Sequence, residues 1–177
     1  MNSTAKKTDR PIAFFDSGVG GISVLREAVR LMPEEDFFFY GDSANAPYGT
    51  KSTEEVRRLT IGHVEQFLAD GAKAVAIACN TATSAAVRRL REIYPELPLV
   101  GIEPALKPAV EQTEDPRVLV MATPITIREE KFRHLFEKYT DEARIFPLPC
   151  PGLMEYVEQG EYDTPEVRKF LSDLLGP

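Results

Sequence analysis

Short apolar runs alternate with longer amphipathic segments along the whole chain. Six apolar runs predict strands, at residues 11–16, 36–42, 73–79, 97–103, 117–123 and 143–149. The segments between and after them have apolar positions three or four apart, which predicts helices at residues 22–32, 52–71, 83–94, 105–112, 127–139, 152–160 and 163–175. Such alternation is typical of parallel sheets flanked by helices. The pattern therefore predicts the α/β fold class.

Several helix ends carry their own signals. Ser52 and Glu55 form a capping-box pattern, and Gly71 follows the helix that they open. Thr164 and Pro165 are a typical N-cap and first helical residue. These signals set the limits of two of the predicted helices.

The unusual polar residues come just after the strands. They are Asp16 and Ser17, the loop 42–49, Cys79 to Thr81, Glu103 and Thr123. Strand ends of a parallel sheet share its carboxyl edge, where open α/β folds bind ligands. We therefore expect these residues to gather at one site.

The chain divides most naturally at the proline-bearing stretch GIEPALKP. We expect a disordered leader at residues 1–10, a first α/β lobe at 11–102 and a second at 103–177. The leader is polar and lacks the apolar core of a signal peptide.

Composition excludes several classes of protein. A net charge of −7 and a pI near 5.0 argue against binding nucleic acid or an anionic membrane. No apolar run approaches the roughly 20 residues of a membrane span. The two cysteines, Cys79 and Cys150, lack metal-type spacing, so we expect neither a metal site nor a disulfide framework, and a reducing cytoplasm is the default location.

Cys79 is the most informative single residue, and its sequence context leaves two roles open. Free cysteine is often buried as a small apolar residue. However, a thiol at a strand end that faces a helix N-terminus is exposed to partial positive charge, which lowers its pKa. Thr81, Thr83 and the free amides there suit a carboxylate ligand. Cys79 is therefore either a packing residue or a reactive thiol.

The other candidates also have structural alternatives. Asp16 precedes a glycine-rich turn, so it either caps the next helix or lies beside a ligand that approaches the turn amides. The loop 42–52 either caps its helix or closes over a ligand. His63 and His134 have no partner at a useful spacing and read as surface or packing residues. Cys150 reads as structural.

Six motifs follow one another from Pro11 onward: PIAFFDSGVGGISVL, YGDSANAPYG, AIACNTATSA, VGIEPALKPA, ATPITI and CPGLMEYVEQG. This series resembles the glutamate racemase family. The resemblance implies two pseudo-symmetric α/β lobes with the active site at their interface. It also implies racemisation of glutamate without a cofactor, by two thiols on opposite faces of the α-carbon, in a bacterial cytoplasm. The product D-glutamate would supply peptidoglycan synthesis, and the assembly could be a homodimer.

The same resemblance assigns roles to residues. Cys79 is expected to deprotonate D-glutamate, with Asp16 assisting and Glu158 serving the other face. The expected substrate-binding positions are Asp16, Ser17, Tyr48, Gly49, Asn80, Thr81 and Thr123. No metal is implied.

One departure from the family pattern concerns the second thiol. The family places it in a Cys-Thr-His motif that does not occur in these 177 residues, and Cys150 belongs to the different CPGL segment. We therefore expect the end of the second lobe and the returning part of the first to be missing, and these residues to be inactive as a racemase. A catalytically dead glutamate-binding or interaction module is the alternative. Asn45 stands where the family more often has arginine.

Overall fold

Two parallel sheets form the framework of the molecule. The computed structural model describes residues 10–176, so nine of the ten predicted leader residues lie outside the described part. The first sheet has the order β2-β1-β3-β4 and the second pairs β5 with β6. The strands are β1 Ile12–Asp16, β2 Phe37–Gly41, β3 Ala74–Ile77, β4 Leu99–Gly101, β5 Arg117–Ala122 and β6 Arg144–Pro149. Every pairing is parallel, which confirms the predicted fold class.

Helices connect and cover the strands. They are α1 Ile22–Leu31, α2 Thr53–Ala69, α3 Asn80–Ile93, α4 Leu106–Val110, α5 Pro124–Arg128, α6 Glu130–Glu137, α7 Leu153–Glu158 and α8 Pro165–Leu175, with a short 3₁₀ turn at Tyr48–Thr50. Ser52 and Thr164 cap α2 and α8 as predicted, and Gly71 has a positive φ of 94° just after α2.

The helix predicted at residues 127–139 is wrong in its limits, because two helices occupy this region. Thr123 accepts a hydrogen bond from the amide of Thr126, and Pro124 follows it at the first helical position of α5. Glu129 is extended between α5 and α6, with φ −71° and ψ 144°. The cap and proline therefore begin a helix earlier than the apolar period alone indicates.

The central position of β1 brings the predicted polar residues to one edge. The amide of Asp42 donates to the carbonyl of Asp16 (2.9 Å), and the amide of Ala78 donates to the carbonyl of Phe15 (2.7 Å). Since all three strands run in the same direction, their carboxyl ends lie side by side. Asp16, the start of the loop after β2, and Cys79 are therefore neighbours, as expected.

Each sheet has its own hydrophobic core, and one residue crosses between them. Ile125 of α5 follows β5 in the chain but belongs to the core cluster of the first sheet, where it is 2 % exposed. Ile127, two positions later, packs against the core of the second sheet. The helix α5 thus joins the two lobes. The predicted boundary at residues 102/103 lies between the sheets and stays a prediction.

Within residues 10–176, none of the helices combines the length and apolar character needed to cross a membrane.

Replacement of Ile125 by alanine tests the joint between the lobes. We expect Ile125→Ala to lower the free energy of unfolding by about 2–5 kcal/mol, because it empties a fully packed position. It should also allow the second lobe to exchange its amide hydrogens before the first. Urea unfolding and peptide-resolved hydrogen exchange measure the two effects.

Ile127→Ala is the matched control for this joint. It removes the same atoms from the second core alone and should leave the order of exchange in the first lobe unchanged. If the two variants changed the order of hydrogen exchange in the two lobes equally, a joint at Ile125 would be contradicted.

Candidate active site

A cavity of about 840 Å³ lies between the carboxyl ends of the two sheets. All the side chains predicted for the site line it: Asp16, Ser17, Tyr48, Gly49, Cys79, Asn80, Thr81, Thr123 and Glu158. The cavity therefore gathers these residues from five separate segments of the chain. Their individual roles stay predictions.

Cys79 is the N-cap residue of α3, and it is 7 % exposed. Its Sγ accepts a hydrogen bond from the amide of Ala82 (3.4 Å) and lies 3.3 Å from Ser17 Oγ. The helix begins directly at Asn80, three residues earlier than predicted, because the sulfur itself caps the first turn. The thiol therefore has two polar neighbours on one side and the cavity on the other.

The predicted lowering of the Cys79 pKa is wrong. Burial raises the pKa of the thiol, and the nearby Asp16 carboxylate raises it further. The contacts with Ser17 and the Ala82 amide act in the opposite direction but are outweighed. The sequence indicated the helix N-terminus but not the burial or the neighbouring negative charge.

Asp16 contacts the start of the next helix, as one of its two predicted roles requires, and its role beside a ligand stays a prediction. Its Oδ2 accepts a hydrogen bond from the amide of Gly21 (2.8 Å), at the start of α1, and its side chain also lines the cavity. The residue is 7 % exposed. A helix-capping contact thus fixes a carboxylate whose charge acts on Cys79.

Glu158 reaches the cavity from the end of α7. Its carboxylate lies against Gly18, where a Cβ atom would collide with Glu158 Oε1. Although the residue is exposed overall, partial burial of the carboxyl raises its pKa, and Asp16 raises it further. The glycine-rich turn therefore provides the space for a second acidic side chain near Asp16.

Two threonines join the lobes across the cavity. Thr81 Oγ1 at the start of α3 lies 3.1 Å from Thr123 Oγ1 at the start of α5. Gly49 packs against the same threonine, since a Cβ at Gly49 would lie 2.8 Å from Thr123 Cγ2. The start of α3, the start of α5 and the turn that contains Gly49 therefore meet at these two hydroxyls.

Asn80 Oδ1 is a buried acceptor with no hydrogen-bond partner among the described residues. Such an atom costs free energy unless a donor reaches it. Asn80 contributes to the cavity wall, but this oxygen has almost no accessible surface and does not face the cavity.

A buried network of hydrogen bonds around Asp42 lies behind the cavity wall. Sequence spacing did not indicate the part of it that His63 forms. Asp42 Oδ2 accepts from the Tyr48 hydroxyl (2.7 Å) and lies 2.9 Å from His63 Nε2. The prediction that His63 lacks a partner is wrong, because its partner is 21 positions away in sequence. The hydrogen bond to Asp42 and burial raise the pKa of Tyr48 well above its usual range, burial most of all.

The cavity also includes residues that sequence reasoning did not assign to the site. Cys150, predicted to be structural, lines it, with its Sγ–H donating to the carbonyl of Leu148 (3.3 Å). Burial raises the pKa of this thiol. In the sequence, the position of Cys150 directly after β6 indicates a place at the same edge of the sheet as the site. Residues 118–122 of β5 and Tyr162 complete the wall.

No group of three or more His, Cys, Asp or Glu side chains within residues 10–176 is arranged to hold a metal ion.

The sequence was compared with those of known protein families. Residues 18–176 match the Asp/Glu/Hydantoin racemase family. The chain belongs to the Asp/Glu/Hydantoin racemase family. Within it, the chain is 55% identical over 168 residues to the glutamate racemase of Clostridium novyi (strain NT), covering 95% of this chain and 65% of that protein. The chain thus spans just under two thirds of the length of this relative.

Solved racemase structures share the fold. The glutamate racemase isoform RacE1 from Bacillus anthracis aligns with a TM-score of 0.81 at 32% identity, over 95% of this chain and 63% of that chain. The glutamate racemase of Francisella tularensis subsp. tularensis SCHU S4, in complex with D-glutamate, aligns with a TM-score of 0.78 at 29% identity, over 96% and 63% of the two chains. The two-lobe architecture of this racemase-family chain is therefore shared with relatives of lower identity.

The charge effect on Cys79 can be tested by removing the Asp16 charge. Asp16→Asn keeps the side-chain size and an oxygen that can accept from Gly21. We expect it to lower the pKa of Cys79, because a like charge no longer opposes the thiolate, and thus to shift its alkylation to lower pH. Mass spectrometry of the iodoacetamide-labelled Cys79 peptide across a pH series measures the shift.

Cys150 is the internal reference in the same samples, since burial and not Asp16 raises its pKa. An unchanged Cys79 profile, or equal shifts of both thiols, would show that Asp16 does not control the reactivity of Cys79.

Proposed function

We propose that the cavity binds glutamate and that Cys79 exchanges the proton on its α-carbon, as in a glutamate racemase. The convergence of the Cys79 thiol, the Asp16 carboxylate and the Thr81–Thr123 hydroxyl pair in one cavity carries this proposal. The family membership and the D-glutamate named in the Francisella complex support the same ligand.

The polar groups of the cavity match those of an amino acid. An ammonium group suits the Asp16 carboxylate, which is an acceptor and carries negative charge. A carboxylate suits the amides at the start of α3 and one hydroxyl of the Thr81–Thr123 pair, since the other hydroxyl donates within the pair. The apolar residues of β5 form part of the cavity wall.

The substrate itself would activate the thiol. The Asp16 charge opposes ionisation of Cys79. An ammonium group beside Asp16 would offset that charge and lower the pKa of Cys79, so that the thiol loses its proton to water as the ligand binds and becomes a thiolate. The contacts of Sγ with Ser17 and the Ala82 amide would then stabilise the thiolate.

The chemical step is a proton transfer to sulfur. The thiolate of Cys79 takes the α-proton, the C–H electron pair remains on the α-carbon, and the adjacent carboxylate delocalises it. Return of a proton from Cys79 restores the same enantiomer, whereas inversion requires an acid on the opposite face.

Inversion of glutamate by these 177 residues requires an acid on the face of the α-carbon opposite Cys79. The resemblance assigns Glu158 to that face but places the second thiol in a motif that this sequence lacks. Cys150 directs its S–H to a backbone carbonyl. We therefore infer that these residues alone exchange the α-proton of D-glutamate without inverting it. The whole protein would supply D-glutamate for peptidoglycan in a bacterial cytoplasm.

Incubation with each glutamate enantiomer in D₂O tests the proposal. We expect deuterium at the α-carbon of D-glutamate with no change in optical rotation, and no exchange after Cys79→Ser, which keeps the cavity but removes the base. Proton NMR and polarimetry follow the two quantities, and calorimetry checks that the variant still binds D-glutamate.

Other outcomes would assign the chemistry differently. Inversion by the 177 residues would require a working second acid among them. Exchange that survives Cys79→Ser but not Cys150→Ser would move the base to Cys150. Absence of both exchange and binding would overturn the proposed function.

A further inference from the structure

Asp42 does not line the cavity, yet it contacts two segments that do. We propose that Asp42 is a positioning residue, whose carboxylate holds the Tyr48–Gly49 turn and whose backbone holds Asp16, so that the two cavity walls keep a fixed spacing. This inference rests on the proposed function, since its readout is the affinity for glutamate.

The Asp42 carboxylate is unusually well paired. It is 2 % exposed, and three side chains donate to it. Asn45 Nδ2 lies 2.9 Å from Oδ1 and 3.1 Å from Oδ2. The Tyr48 hydroxyl and His63 Nε2 lie 2.7 and 2.9 Å from Oδ2. Burial raises the pKa of Asp42, but these hydrogen bonds outweigh it, so that its pKa is lowered and the group stays ionised.

The hydroxyl of Tyr48 is committed to this carboxylate. Its hydrogen points to Asp42, so it cannot also be donated to a ligand in the cavity. Tyr48 is 2% exposed, and its neighbour Gly49 packs against Thr123 in the cavity wall. Tyr48 therefore serves the site by fixing the turn, and the anchor point is Asp42.

The backbone of Asp42 controls the opposite wall. Its amide donates to the carbonyl of Asp16 (2.9 Å), which is the last residue of β1. The same residue thus holds the end of the strand that carries Asp16 and the turn that carries Gly49. A substitution of the Asp42 side chain leaves this backbone contact in place and removes only the contacts that hold the turn.

His63 of α2 holds the hydrogen-bond network around Asp42 in place. Its ring packs against those of Phe15, Tyr40 and Phe67, with centroid distances of 5.2, 4.8 and 6.4 Å. With the ring fixed in this way, Nε2 has little freedom to leave Asp42. The position of the turn is therefore coupled to the core of the first lobe.

A double-mutant cycle distinguishes positioning from direct contact. We expect Asp42→Asn to weaken D-glutamate binding about tenfold, since it removes charge-assisted hydrogen bonds from the anchor. Tyr48→Phe should weaken binding in the native background and have little further effect in Asp42→Asn, because its hydroxyl acts through Asp42. Calorimetry with D-glutamate, at a temperature where circular dichroism shows each variant folded, provides the affinities.

The two histidines supply a matched control. His63→Ala should weaken binding, and His63→Gln should restore much of it, because the glutamine amide can donate to Asp42. His134→Gln changes the chain's other histidine, which is exposed at 61%, and should leave affinity unchanged. If Asp42→Asn does not fold, the affinities of Tyr48→Phe, His63→Ala and His63→Gln test the proposal.

The outcomes separate the two proposals. If the native chain does not bind D-glutamate, the proposed function fails and this inference falls with it. If the native chain binds but Asp42→Asn and His63→Ala bind equally well, only the positioning role is overturned. Equal losses from Tyr48→Phe in both backgrounds would show that its hydroxyl touches the ligand directly, which also overturns the inference.

Discussion

The central strand β1 is the constraint on which the site depends. It pairs in parallel with β2 on one side and β3 on the other, so that backbone hydrogen bonds place the ends of all three strands at one edge. Asp16, Asp42 and Cys79 are held together by this pairing and not by contacts between their side chains. A shift of one residue in either pairing would turn the alternate side chains to the opposite face and separate these groups.

The electrostatics of the site follow from that crowding. The Asp16 carboxylate acts on both the buried Cys79 thiol and the Glu158 carboxyl, in a chain whose net charge is already −7. Burial raises the pKa of each of these two groups, and the Asp16 charge raises it further. A ligand with an ammonium group offsets the Asp16 charge, whereas a purely anionic ligand adds to it. Selectivity for an amino acid over a simple dicarboxylate therefore has a physical basis in the cavity.

The second lobe is attached to the first through α5, the helix that follows β5. Ile125 enters the core of the first lobe, while Thr123 at the start of the same short helix meets Thr81 and Gly49. Packing of one apolar side chain thus holds a polar group in the cavity. The far wall is therefore in place before any ligand arrives, which reduces the entropy that binding must overcome.

The sequence by itself determined the features that depend on local chemistry. Apolar periods defined the strands and most helices, and Ser52, Gly71 and Thr164 marked helix ends correctly, because caps and periods act within a few residues. The succession of motifs also indicated the racemase family. Since strand ends in a parallel sheet share an edge, even the gathering of the site residues was predictable.

Only the tertiary structure decided the features that depend on distance between remote segments. The partnership of His63 with Asp42, the crossing of Ile125 into the first core, and the direction of the Cys79 pKa shift left no sign in sequence spacing. Burial and charge proximity are properties of packing, and they changed the expected effect of the helix N-terminus on the thiol from a lowered to a raised pKa. Periodicity predicts which residues face inward, but only packing determines which of them meet.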